Sequence, residues 1–337
     1  MKGRQMISVR LWVLVGLIGI GPGAYGQEQG RKIDICPWKV PGQYEATVEM
    51  AMDQAMTVDG QVQPKQRMEQ MLVTRITVGE PRPDGGRVLE VAFTRIKQVA
   101  KRGGETLSYD SDGEEAKQNE QLAQAYKPLL AVKMTVVIGP DGQVEEVTGL
   151  EAFWKKLAEA NPEAAETIKE MQKQMGDSMV KEVISKGREL VPAGGVVVGQ
   201  PWKNDRKVAV PFVGEVRLVQ DGELTKVERT NAGEVAVIEY KGKMTLPKNA
   251  GVQVGAVSLK FLAFEMHQEG QLLYNLDAGL TDASLTQEAK MELSGRDERG
   301  KTVDIAIRQE GTVKVSTRKL GPATAPTSKP AGEGGRP

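Results

Sequence analysis

His267 is the only histidine and Cys36 the only cysteine in this chain of 337 residues. A serine or cysteine nucleophile activated by an imidazole would have to use His267, because those mechanisms need the ring beside the nucleophile. The run from Ser258 to Gln268 alternates like a strand, and no Gly-x-Ser-x-Gly elbow accompanies it. His267 therefore reads as a strand residue with a hydrogen-bonded ring. Cys36, in Cys36-Pro37-Trp38, has no cation beside it in sequence to lower its pKa, and reads as a partly buried anchor. Zinc needs three or four nitrogen or sulfur ligands, or carboxylates in their place, and one His with one Cys falls short.

The remaining motifs are no stronger. Asp110-Ser111-Asp112-Gly113 has a calcium-loop flavour, but in the twelve-residue pattern Ser108 takes the first ligand position and Asn119 the last, where a bidentate Glu belongs. It is expected to be a polar turn. Ala193-Gly194-Gly195 lacks the Lys-Ser/Thr of a phosphate loop, and it follows a helical stretch instead of leading into one. Carboxylates are too many on solvent faces to nominate a glycosidase pair, which is defined by its separation in space. No catalytic residue, cofactor site or metal ligand is nominated, and no cofactor is expected.

The elements that would position any site begin with the N-terminus. Lys2, Arg4 and Arg10 flank an apolar run from Leu11 to Ile20, and Ala24 and Gly26 place small residues where a signal peptidase reads. Residues 1–26 are expected to be a cleaved signal peptide, too short to span a membrane comfortably. No cysteine stands at the junction to carry a lipid, and no later run is apolar enough to span. The product should be exported, periplasmic or extracellular. Basic and acidic residues number 45 each. Three of the basic ones lie in the leader, which leaves a slightly acidic chain and argues against nucleic acid as a partner. A lone thiol makes no internal disulfide, so stability must come from the core.

Residues 27–147 read as an N-terminal β-half. Tyr44, Ala46, Val48, Met50 and Met52 alternate with Glu45, Thr47, Glu49 and Asp53, the pattern of a strand buried on one face. Further runs cover about 68–78, 89–94, 106–109, 132–138 and 144–147, and the segment 103–126 is mostly polar and weakly patterned. Residues 203–320 read as a C-terminal β-half, with turns at Asp221-Gly222, Asn231-Ala232-Gly233, Glu269-Gly270, Arg299-Gly300 and Glu310-Gly311. Residues 321–337, rich in Pro, Gly, Ala, Thr and Ser, read as a disordered tail.

Between the halves lies a helical connector, 148–202. Thr148-Gly149-Leu150-Glu151 has capping-box spacing, and Asn161-Pro162 reads as a stop and a new cap. Ile168, Met171, Met175, Met179 and Val183 then recur every three or four residues and form one apolar stripe that must lie against a sheet. Trp154 and Trp202 flank the stretch as pins. The expected fold is mainly β with a central helical segment (α+β): two antiparallel halves, meander or open half-barrel, packed around the connector.

This order of signal peptide, β-half, Gly139-Pro140-Asp141-Gly142 running into Val147-Thr148-Gly149, helix, then Pro192 with Val198-Gly199-Gln200-Pro201-Trp202, resembles an exported bacterial family of uncharacterised function. The family brings no catalytic residues with it. In outline the chain is also similar, more distantly, to periplasmic lipoprotein carriers, which hold acyl chains between sheet and helix. Two functional classes stay open. One is a non-catalytic envelope protein that holds a lipophilic small molecule, or a partner envelope protein, between helix and sheet, with the stripe from Ile168 to Val183 as its apolar face. The other is a structural or interaction module with a solid core and no ligand.

Overall fold

Period-two alternation gives a sheet two unlike faces, and this chain keeps the alternation through very long strands. The computed structural model describes residues 30, 32–33, 38–114, 118–140, 143–174, 191–192, 195–210, 214–231, 233–246, 250–254, 257–296 and 300–321. Strands β1 (Lys32–Ile33), β2 (Gly42–Val58), β3 (Gln61–Val62), β4 (Gln66–Val78), β5 (Arg87–Arg102) and β6 (Glu105–Asp110) precede helix α1 (Glu120–Leu130). Then come β7 (Lys133–Ile138), β8 (Val144–Thr148), α2 (Leu150–Ala160), a 3-10 turn (Pro162–Ala164) and α3 (Ala165–Gln174). The chain continues with β9 (Val196–Val197), β10 (Pro201–Val210), β11 (Gly214–Thr230), β12 (Gly233–Thr245) and β13 (Gly251–Val254). It closes with β14 (Val257–Asn275), β15 (Leu280–Arg296) and β16 (Thr302–Lys319).

Among the described residues one antiparallel sheet takes nearly all of these strands, in the order β10, β11, β12, β14, β15, β16, β2, β4, β5, β7, β8. It is not closed into a barrel. The join is β16 with β2, paired from Lys319 opposite Tyr44 to Ile305 opposite Val58, so the sheet runs unbroken from one half of the chain into the other. β1 and β9 form a separate two-stranded ribbon.

One face is apolar and the other charged. On β2 the even positions Tyr44, Ala46, Met50 and Met52 are buried, and on β16 the odd positions Val313 and Val315 are. The opposite face carries cross-strand ion pairs, among them Arg67 with Asp53 at 2.9 Å, Arg318 with Glu45 at 2.5 Å and Arg217 with Asp205. Each such exposed pair contributes little, but opposite charges facing across strands favour this register over a slipped one.

Three expected turns prove to be strand. Asp221-Gly222, Glu269-Gly270 and Glu310-Gly311 lie inside β11, β14 and β16. Their glycines admit close neighbours: a Cβ on Gly222 would lie 2.5 Å from the Trp202 indole, on Gly270 2.2 Å from the Ser284 carbonyl, and on Gly311 2.8 Å from that of Ala51. Glycine within a strand marks such an approach as readily as a turn.

The helical segment also departs in detail from its expected caps. Thr148 ends β8, and the N-cap of α2 is Gly149, with no side-chain cap bond. Gly149 has φ 99°, and a Cβ there would stand 2.3 Å from the Lys133 carbonyl, so only glycine makes this strand-to-helix step. Asn161 does not cap the next helix with its side chain; its amide donates to the Leu157 carbonyl at 3.0 Å. Helix α1, inside a stretch read as polar and weakly patterned, is capped by the Asn119 carboxamide, which accepts from Leu122 N at 3.1 Å. Its Leu122 and Tyr126 face the sheet one turn apart.

Candidate functional site

His267 lies on the charged face of β14, its side chain 57% exposed, with Nε2 3.0 Å from Glu265 Oε1. Lys243 engages the same carboxylate, and hydrogen bonds from Lys243 first and then His267 hold Glu265 below the usual carboxylate range. Asp110 is held by the Arg95 guanidinium at 2.8 and 3.1 Å and closes its turn by accepting from Asp112 N, so the calcium-like residues serve a turn. That ion pair lowers the Asp110 pKa. Among the described residues no group of three or more His, Cys, Asp or Glu side chains could hold a metal ion. Cys36 lies outside the described residues.

Of the apolar stripe, Ile168 is described and buried. It packs with Leu150 and Trp154 of α2 against Tyr44, Ile76 and Leu89 of the sheet. The Met171 side chain, Met175, Met179 and Val183 lie outside the described residues. Trp154 is 95% buried there, and among the described residues its Nε1 meets no acceptor.

The apolar face divides into two regions. In the first, α1 covers Leu72 and Ile96, α2 and α3 cover Tyr44 and Leu89, and the β1–β9 ribbon with Val198 covers Ile238, Leu272 and Val315. We term this the roofed region. Burial of each such side chain contributes about 1.5–3 kcal/mol. The second lies toward the other ends of the long strands. There Phe264, Met291, Ile307 and Met56 stand in one register row, and Phe261, Leu293, Ile305 and Val58 in another. Among the described residues no helix packs on these rows; Leu246 and Ala250, after β12, are the neighbours that reach them. Phe264, Met291, Ile305, Ile307, Met56 and Val58 stay half-buried.

A seam of glutamines separates the regions. Asn204, Gln220, Gly242, Gln268, Gln287 and Gly311 occupy one register row across β10, β11, β12, β14, β15 and β16. At β16 the seam steps one row toward the unroofed end and continues as Gln309, Gln54 and Gln66. Gln309 Nε2 donates to Gln54 Oε1 at 3.1 Å, while Gln268 Nε2 stands 3.5 Å from Gln287 Oε1. A side branch enters the roofed region, where Gln70 donates to the Tyr126 hydroxyl at 3.1 Å and that hydroxyl donates to Gln98. Burial pushes the Tyr126 phenol up to about 12.

These glutamines were missed by sequence reasoning, although a signal was present. Gln54, Gln220, Gln287 and Gln309 all fall on the parity of the apolar positions of their strands. Beside the seam, a cavity of about 10 Å³ is lined by Val191, Trp202, Gln220, Ile238, Tyr240 and Leu272, room for the centre of one water. An open cleft of about 470 Å³ at the ends of β4 and β5 gathers Lys65, Arg67, Lys101 and Arg102 with Asp53 and Glu105. Arg67 is already held by Asp53 and Glu69.

Among the described residues no helix is long and apolar enough to cross a membrane.

The fold is that of a helix-decorated antiparallel β protein, one large sheet with a two-stranded ribbon, and no catalytic centre is recognisable among the described residues. The chain belongs to a family of unknown function (DUF6263), whose model matches residues 84–281. No curated protein matches it. Among solved structures it is similar to lipovitellin, in a structure describing lipid–protein interactions, at 11% identity and TM-score 0.41, covering 85% of this chain and 26% of that one. It thus spans about a quarter of lipovitellin's length. It is also similar to OpdQ of Pseudomonas aeruginosa (7% identity, 84% of this chain and 100% of that chain, TM-score 0.20). A third likeness is the β domain of the Bordetella autotransporter BrkA (9% identity, 82% and 99%, TM-score 0.20).

Proposed function

We propose that this chain is an exported, non-catalytic envelope protein that binds an apolar ligand on the unroofed region of its sheet. The observation that carries the reading is the pair of register rows around Met291 and Ile307. Eight apolar side chains on four neighbouring strands stand there without a described helix over them, and six of the eight remain half-buried. A contiguous apolar patch of that kind marks a binding surface more often than bare protein surface. Met56 and Met291 lie within it and Met266 beside it; thioether side chains adapt to apolar partners of varied shape. The buried Ile168 belongs to the roofed region and the rest of the helical stripe lies outside the described residues, so the reading is argued from the strands. Export rests on the basic, apolar and small-residue order of residues 1–26.

A second reading, a solid core with no ligand, is favoured by Leu259, Leu293 and Phe261, which are only 6%, 7% and 8% exposed. Native mass spectrometry of protein purified from its own host separates the two. The ligand reading expects an adduct removable by organic solvent, and uptake of a lipophilic dye that Ile307→Asp reduces about tenfold. Wild-type protein that carries no adduct and takes up no dye would establish the solid core.

A further inference from the structure

We infer that the glutamine seam receives the uncharged polar linkage of an aliphatic ester or amide, whose chain lies on the unroofed rows. This deepens the ligand reading above and rests on it.

Three observations converge. The first is electrostatic. Between Arg206 on β10 and Arg102 on β5, the seam and the unroofed rows carry no charged side chain among the described residues. At one end of the row the Arg206 guanidinium stands 3.5 Å from Gln220 Oε1, but over β14, β15 and β16 a carboxylate or phosphate would lose its water without gaining a cation, which is costly. A plain hydrocarbon would instead strip water from the amides and return no hydrogen bond. A neutral linkage joined to an apolar chain meets both demands.

The second is unused hydrogen-bonding capacity. A carboxamide offers two N–H donors and an oxygen with two lone pairs. Gln268 and Gln287 meet at 3.5 Å, the outer limit of a hydrogen bond, and so satisfy little of what they carry. Further along, among the described residues, the buried Gln66 Nε2 has no partner.

The third is room. Of the glycines on these central rows, Gly222, Gly270 and Gly311 are each required by a neighbour closer than 3 Å to a notional Cβ. Gly242 is not. Its backbone is ordinary, and the nearest atoms a Cβ there would meet are Gln220 Cγ at 3.7 Å, Gln268 Cβ at 3.8 Å and Gln268 Oε1 at 3.9 Å, all ordinary contacts. Packing leaves this gap unfilled between two amides, and a carbonyl oxygen seated in it would lie within their reach.

The test uses the full chain, stripped of adducts by organic solvent and refolded, with a bound lipophilic dye displaced by three probes of equal chain length: a methyl ester, the free carboxylate and the alkane. At neutral pH the ester is expected to displace the dye at about tenfold lower concentration than either competitor. Gly242→Leu should abolish that preference while dye uptake persists, with far-UV circular dichroism confirming the fold. The double variant Gln268→Leu/Gln287→Leu, which leaves Gly242 in place, should abolish it too. Equal displacement by ester and alkane, preference for the carboxylate, or an ester preference that survives both variants would overturn the inference alone. Failure of wild-type protein to take up any dye would overturn it together with the ligand reading.

Discussion

The roofed and unroofed regions are built from the same strands, on the same face, with the same alternation. β2, β14, β15 and β16 run through both, crossing the glutamine seam midway. What differs is what lies above them. Over the first, three helices and a ribbon bring Trp154, Ile168, Leu122, Ile33 and Val196 down onto the strands. Over the second, the described cover is Leu246 and Ala250. An apolar strand face is therefore not in itself a core. Among the described residues it becomes one where helices and the ribbon supply a second layer, while Phe264, Met291, Ile305 and Ile307 stay half-buried where Leu246 and Ala250 reach them.

The largest effect that would test this contrast is truncation on either side of the seam. Leu272, 2% exposed under the ribbon, should cost about 2–5 kcal/mol when changed to alanine, the range for a fully packed site. Ile307→Ala should cost about 1 kcal/mol, since part of its apolar area faces outward already. Urea unfolding of the two variants measures both. Equal losses would mean that the second region is packed as tightly as the first, and would favour the solid core.

Alkaline pH should attack the roofed region selectively. Tyr126 and Tyr240, both in it, are pushed up by burial to about 12. A folded pKa above the unfolded value of about 10 means that the folded state holds its protons longer. The resulting stability is complete below pH ~10 and is lost as pH climbs toward 12, roughly 2–3 kcal/mol per tyrosine. Absorbance at the phenolate band, followed alongside unfolding, should show these two ionising only as the fold is lost. Tyr126→Phe should remove its own share of the alkaline loss. Early, reversible ionisation of both with the fold intact would show that the roof admits water.

Much of this architecture was legible in the sequence, and the illegible parts share a cause. One-sided burial leaves a period of two, which is why β-half, helix and β-half could be read. Gly222, Gly270 and Gly311 were misread as turns, because a glycine that clears a Trp202 indole or a facing carbonyl looks in sequence like one that turns a chain. Helix α1 was hidden by its polar composition and by Pro128 in its last turns. The parity of the glutamines could be read, but their joining into a seam could not. Gln54 and Gln309 are 255 positions apart, and only register brings their amides to 3.1 Å. The expected stripe fared unevenly, with Ile168 in the roofed core and the rest outside the described residues.

The seam itself should cost less to perturb than the core beside it, provided that both partners change together. Gln309→Leu leaves Gln54 Oε1 without its donor and should destabilise by about 1–2 kcal/mol. Adding Gln54→Leu removes the stranded acceptor and should recover most of that loss. The four-variant cycle, read by denaturant midpoints, gives the coupling directly. Additive losses would show that the two amides do not depend on each other, and the seam would then be a set of separate polar residues instead of a boundary.

The smallest effect concerns Gly242, and its sign is the informative part. A seam built only for packing would need glycine where it has glycine, as it does at Gly270, where a methyl would collide with the Ser284 carbonyl. At Gly242 a methyl meets nothing closer than 3.7 Å. Alanine there also narrows the freedom of the unfolded chain, so Gly242→Ala should stabilise the protein by about 0.4–1 kcal/mol. Gly270→Ala should destabilise it by more than that, because backbone on both strands must shift. Thermal unfolding of the two single variants measures the difference. If Gly242→Ala destabilises as well, the gap between Gln220 and Gln268 is needed by the fold, and the distinction between a seam that packs and a seam that leaves room would disappear.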